Sequence, residues 1–242
     1  MKILKNKILL ILFETILIII IFLSVVKIYK WQKDNKHTAE IVDKITDNIT
    51  VENDNYNINF EKLKDINKDI IAYIVVNGTN IRYPVVKGED NTFYLTHSLD
   101  KQENNAGWIF ADYRNKLDET DKNVIIYGHN RKDGTMFRTL RNIFNKEWYS
   151  NKENRKIKFI TEKENCIYEV FSVYKILNED YYIKTDFEND SFYNFLQNIK
   201  ERSFVDFEVE LDENDKILTL STCDNNNKYR VVLHAKRVMS YW

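Results

Sequence analysis

From residue 70 onward the sequence is a succession of short β-branched and aromatic runs, each closed by a polar turn signal, and this pattern limits the possible folds more than any other feature. Ile70-Ile71-Ala72-Tyr73-Ile74-Val75-Val76 and Ile81-Arg82-Tyr83-Pro84-Val85-Val86 flank Asn77-Gly78, a pair that supplies the positive φ angles of a tight turn. The two runs predict a hairpin, and Pro84, which has no N–H to give a ladder, predicts an edge position for the second strand. Strand-like runs follow at residues 107–111, 123–127, 156–161, 167–177, 207–211, 217–222 and 229–239. So many short strands with so few helices predict a closed or nearly closed β-barrel. Two helical stripes interrupt it, one at residues 136–144 (Phe137, Leu140, Ile143, Phe144) and one at residues 191–201 (Phe192, Phe195, Leu196, Ile199).

The N-terminus is of another kind. Residues 8–26 are apolar apart from Glu14, Thr15 and Ser24, a length that suits the crossing of a bilayer core. No small-x-small cleavage site follows, since Ile28-Tyr29-Lys30-Trp31 comes next, so an uncleaved anchor is expected over a signal peptide. The lysines at positions 2, 5 and 7 favour a cytoplasmic N-terminus and an extracellular bulk. Glu14 is assigned no role. Residues 1–30 are therefore expected to be the tip and anchor. Residues 31–59 are expected to be a stalk with an amphipathic helix (Ile41, Val42, Ile45, Ile49), and residues 60–242 the catalytic domain, opening on a short helix marked by Phe60, Leu63 and Ile66.

With 36 Lys+Arg against 37 Asp+Glu the net charge is −1, so no global basic field points to nucleic acid. An aromatic content of 14% is too high for a disordered chain. The two cysteines, Cys166 and Cys223, make no disulfide framework. Cys166 opens a strand-like run, where a small buried hydrophobe is expected.

Chemistry concentrates in three places. Leu218-Thr219-Leu220-Ser221-Thr222-Cys223 and Arg230-Val231-Val232-Leu233-His234-Ala235 read as two strands around an asparagine-rich loop, so Cys223 ends one strand and Arg230 opens the next. His129 follows the strand Val124-Ile125-Ile126-Tyr127-Gly128. A thiol nucleophile needs a proton partner, and histidine serves in both directions. An arginine stays charged and can hold substrate or a developing oxyanion. His37, His97 and His234 are expected to be surface or packed histidines.

Tyr127-Gly128-His129, Thr219-Leu220-Ser221-Thr222-Cys223 and Arg230 resemble the signature of the sortases, cysteine transpeptidases of Gram-positive bacteria. The likeness to class B extends from Phe60 to the end and includes residues 81–86, 91–97, 107–112 and the helix at 191–201. It implies an eight-stranded β-barrel with N-terminal helices, an inserted helix before the last strands and a preceding transmembrane helix, on a cell membrane with the catalytic domain outside. The implied reaction cleaves a C-terminal sorting signal after Thr and passes the acyl group through a Cys223 thioester to a peptidoglycan amine. His129 would act as acid and base, Arg230 would hold substrate, and Asp224 would be a possible helper. By similarity the substrate groove would be lined by Asn91, Leu95, Tyr181, Tyr182, Ile183 and Ser221. The implied partners are secreted proteins with a sorting signal and a wall amine; neither metal nor cofactor is implied. Pilin polymerisation and a cysteine peptidase on the same barrel are the alternatives. An L,D-transpeptidase is disfavoured because its histidine and cysteine lie close in sequence, and a mere binding module because all three residues are present.

Overall fold

The computed structural model describes residues 2–177, 179–187, 191–224 and 228–241; the side chains of residues 2–5, Cys223 and Asp224 lie outside what it describes. The chain divides into two compact units, Met1–Glu40 and Ile41–Trp242. Helix α1, Lys2–Thr46, supplies all of the first unit. Its apolar side chains from Ile8 to Val26 are exposed on every face of the helix. A helix apolar all round suits lipid rather than water, and this one is long and apolar enough to cross a membrane.

In the second unit the last turns of α1 put Ile41 and Ile45 into the core. Of the other two members of the expected stripe, Val42 packs half-buried against that core and Ile49 instead opens a strand. Strands β1 (Ile49–Glu52) and β2 (Asn55–Ile58) pair with Ile49 opposite Ile58. Asn53 and Asp54, at φ 49° and 65°, make the turn between them. Two successive left-handed residues form the two-residue hairpin turn that matches strand twist, so the segment expected to be the end of the stalk is a hairpin. Helix α2, Phe60–Ile66, follows, its first turn capped by Asn59 Oδ1, which accepts from the Lys62 amide at 3.0 Å.

Eight strands then close a barrel: β3 (Ile70–Val76), β4 (Arg82–Val86), β5 (Phe110–Ala111), β6 (Asn123–Gly128), β7 (Lys156–Ile160), β8 (Asn165–Leu177), β9 (Ile217–Asp224) and β10 (Tyr229–Tyr241). Around the barrel the order is β10, β8, β7, β3, β4, β5, β6, β9. Closure leaves no edge to pair with another chain. Pro84 is nonetheless tolerated, because β5 meets β4 only at Val86, and the Pro84 carbonyl takes the Trp108 indole N–H at 2.9 Å.

Two expected elements differ. Residues 207–211 form no strand: Glu208 has φ 61° and its amide donates to Asp206 Oδ1, a local turn that breaks the extended run. Phe207 and Val209 are buried all the same. The stripe at 136–144 is a 3₁₀ segment, Arg138–Phe144, which still buries Leu140 and Ile143. A short helix α3, Lys146–Ser150, follows it. The second stripe is α4, Phe192–Glu201, between β8 and β9, with its four apolar residues buried and Ser191 as N-cap.

A buried, directed polar chain crosses β8, β10, β9 and β6. Tyr174 O–H donates to His234 Nε2 and His234 Nδ1–H to Thr219 Oγ1, both at 2.8 Å, and Thr219 Oγ1 donates to Asn123 Oδ1 at 2.6 Å. His234 is a packed histidine, and burial pushes its pKa down to about 3. The unfolded chain therefore binds a proton between about pH 6.5 and 3 that the fold refuses. Stability is full above pH 6.5 and falls as pH falls through that window. From pH 6.5 to 4.5 this one group costs about 2–3 kcal/mol. Urea unfolding across those pH values measures it, and a flat profile would contradict a neutral buried His234.

Candidate active site

Strand register brings the three chemical residues to one end of the barrel. Strands β6 and β9 run parallel with Gly128 opposite Thr222, so His129 and Cys223 each follow one member of the same pair. Strand β10 returns antiparallel on the other side of β9, with Arg230 directly opposite Cys223. Three adjacent strands thus carry them within about 10 Å across the sheet.

His129 is held from two sides. Its Nε2–H donates to the Leu95 carbonyl at 2.7 Å, and its own carbonyl accepts from the Phe137 amide at 3.0 Å. That bond fixes the tautomer and leaves Nδ1 to exchange a proton. Burial, opposed by the Leu95 bond and aided by the Arg131 charge, holds the His129 pKa below 6.5. The imidazole is therefore neutral at pH 7. Gly107 makes the close approach possible: at φ 59°, a Cβ there would lie 2.6 Å from Tyr94 O, 2.7 Å from His129 Cδ2 and 2.8 Å from Leu95 O. Gly128 likewise leaves room for the Phe137 ring, 2.7 Å from where its Cβ would be.

His129 and Arg230 open on a cavity of about 360 Å³. Of the six residues expected to line a groove, Asn91, Leu95, Tyr182, Ile183 and Ser221 line this cavity. Tyr182 O–H and Ser221 Oγ are 2.8 Å apart. Tyr181 does not line it; its ring stacks under the Arg202 guanidinium at 4.0 Å and meets Tyr182 edge-on. Phe110, Tyr127, Gly128, Asp180 and Thr222 complete the lining, and none of these was singled out from the sequence. Tyr127, Gly128 and Thr222 sit inside the motifs that were. Thr222 Oγ1 is buried with no hydrogen-bond partner among the described residues. Larger cavities, of about 600 Å³ beside Tyr56 and Arg82 and about 550 Å³ beside Lys68 and Lys101, hold neither cysteine nor histidine. The Cys223 and Asp224 side chains lie outside the described residues, and their backbones belong to β9. Cys166 is a buried free thiol whose pKa burial pushes up to about 11, so it is protonated at neutral pH.

Known proteins bear on this site. The sortase domain model matches residues 74–238. Sortase B of Listeria monocytogenes is 36% identical over 215 residues, 85% of this chain and 87% of that protein. Sortase B from B. anthracis, solved in complex with AAEK1, superposes with a TM-score of 0.73 at 36% identity, covering 87% of this chain and 98% of that one. A Staphylococcus aureus sortase B–substrate complex gives 0.68 at 38% identity, covering 74% and 84%. With the barrel and most of its length shared at this level, the chain belongs to the sortase family of cysteine transpeptidases, and within it to class B.

Proposed function

We propose that Cys223, His129 and Arg230 are the catalytic residues, and that the cavity beside them binds a C-terminal sorting signal whose Thr carbonyl is attacked. The observation that carries this is the register of β6, β9 and β10, which sets the three residues at one strand end. Neutral His129 takes the thiol proton through Nδ1 as Cys223 Sγ bonds to the carbonyl carbon. The C–N bond then breaks, and His129 returns the proton to the leaving amine. An amine of the peptidoglycan attacks the thioester, gives its proton to His129, and displaces Cys223, which is reprotonated. Arg230 donates to the oxyanion in both halves. Asn91, Leu95, Tyr182, Ile183 and Ser221 contact the signal; the substrate complex of the Staphylococcus aureus relative supports a groove of this kind.

A transferase differs from a peptidase in what reaches the thioester. Positioning an amine while excluding water favours transfer. Sorting-signal peptide alone should be hydrolysed slowly, and hydroxylamine should speed turnover and yield the hydroxamate. Fast hydrolysis with no hydroxamate at any hydroxylamine concentration would make the enzyme a peptidase. We also propose that residues 1–30 anchor the protein in the cell membrane with the catalytic domain, residues 60–242, outside, joined by residues 31–59. Deletion of residues 1–30 should yield a soluble protein that retains peptide cleavage; a product that needs detergent would overturn the boundary.

A further inference from the structure

The wall of the cavity formed by Tyr182 and Ile183 is irregular backbone in the connection between β8 and α4, and its carbonyls need donors. Two side chains supply them, one from the β5–β6 connection and one from the start of β6. Arg114 Nη2 donates to Ile183 O at 2.9 Å, and Asn123 Nδ2 donates to Lys184 O at 2.9 Å. Arg114 is in turn seated on Asp112, whose side chain is fully buried. Asp112 Oδ1 accepts from Arg114 Nε at 2.8 Å and Oδ2 from Arg114 Nη2 at 2.7 Å. The same carboxylate accepts from Asn91 Nδ2 at 3.0 Å and Tyr127 O–H at 2.8 Å. Burial pushes the Asp112 carboxyl up, but the Arg114 hydrogen bonds outweigh it and hold the group below the usual carboxylate range. One ion pair, with its carboxylate buried and its guanidinium partly exposed, therefore reaches three parts of the lining: Asn91, Tyr127 and Ile183. The planar guanidinium suits this use, because it can grip a carboxylate with two nitrogens and still donate elsewhere.

We propose that Arg114, held on Asp112, is a positioning residue that sets the width of the substrate cavity by tying the Tyr182–Lys184 wall to the Asn91 wall. The effect on substrate rests on the cavity being the sorting-signal groove; the tie itself does not. Two readouts keep these apart. In Arg114→Gln, amide hydrogen exchange of residues 179–187 should rise by roughly tenfold, the loss expected for one charged hydrogen bond, while β6, β9 and β10 keep their protection. Unchanged exchange in that segment would overturn the tie. In the same variant KM for a sorting-signal peptide should rise by roughly tenfold with kcat little changed, whereas a loss of folded enzyme would lower kcat at constant KM. Faster exchange with unaltered KM would leave the tie standing and remove the segment from substrate binding. Alkylation of Cys223 by iodoacetamide should keep its wild-type rate. Arg114→Lys keeps the charge beside Asp112 but not the fork, and should recover only part of KM. Should the unpaired Asp112 charge prevent folding of Arg114→Gln, the Asp112→Asn/Arg114→Gln double variant removes that charge, still lacks the Ile183 contact, and must show the same exchange and KM changes.

Discussion

Cys223→Ala should fold normally and cleave no sorting-signal peptide. The thiol is the only group of the protein that bonds to carbon in the proposed mechanism, so no other side chain substitutes for it. His129→Ala should lower kcat/KM by about 10²–10⁴-fold, the range for a positioned acid and base. Arg230→Ala should cost about 10²–10³-fold, the range for one oxyanion donor. The double variants should cost far less than the product of the singles, because the residues act as a unit. Cys166→Ala is the control. Its sulfur is buried between β7 and β8, where Cys166 pairs with Phe159, away from the strand ends that carry His129 and Arg230. Its activity should be that of the native enzyme. An inactive, folded Cys166→Ala, or turnover by Cys223→Ala, would reverse the assignment.

Outside the three proposed catalytic residues Gly107→Ala has the largest expected effect, although the residue carries no functional group. Its φ of 59° disfavours any side chain, and three atoms stand within 3.0 Å of the added Cβ. Two are backbone carbonyl oxygens, and one of these, Leu95 O, is the acceptor that orients His129. The methyl group must therefore displace the acceptor, the imidazole or both. We expect a stability loss of about 1–3 kcal/mol together with a fall in kcat/KM of roughly 10²-fold, the size that follows misplacement of a reacting group by about an ångström. Kinetics at a temperature where the variant is fully folded separate the two. Native kcat/KM there would mean that the Leu95–His129 bond does not orient the imidazole.

The barrel is legible because each strand carries its own apolar run and turn signal, and the three proposed catalytic residues stand out because His129 follows such a run, Cys223 closes one and Arg230 opens one. The Asn53-Asp54 hairpin is hidden in the sequence because the polar residues around it conceal the strand alternation. Residues 207–211 have strand composition, but a local Asp206 turn prevails over it. Of the cavity wall between β8 and α4, Tyr181, Tyr182 and Ile183 are expected from the resemblance alone, and Tyr181 does not line the cavity. What holds the wall was beyond reach: Arg114 and Asn123 lie 69 and 61 positions from the carbonyls they meet, and only barrel closure brings them together.

The central claim is that the acyl group passes through a thioester on Cys223. It is tested most directly by the intact mass of enzyme quenched during turnover of a sorting-signal peptide with no amine added. The account predicts an adduct equal to the acyl half of the peptide, mapped by digestion to Cys223 and discharged when an amine is supplied. Cleavage that proceeds with no such adduct, or an adduct on any residue other than Cys223, would contradict it.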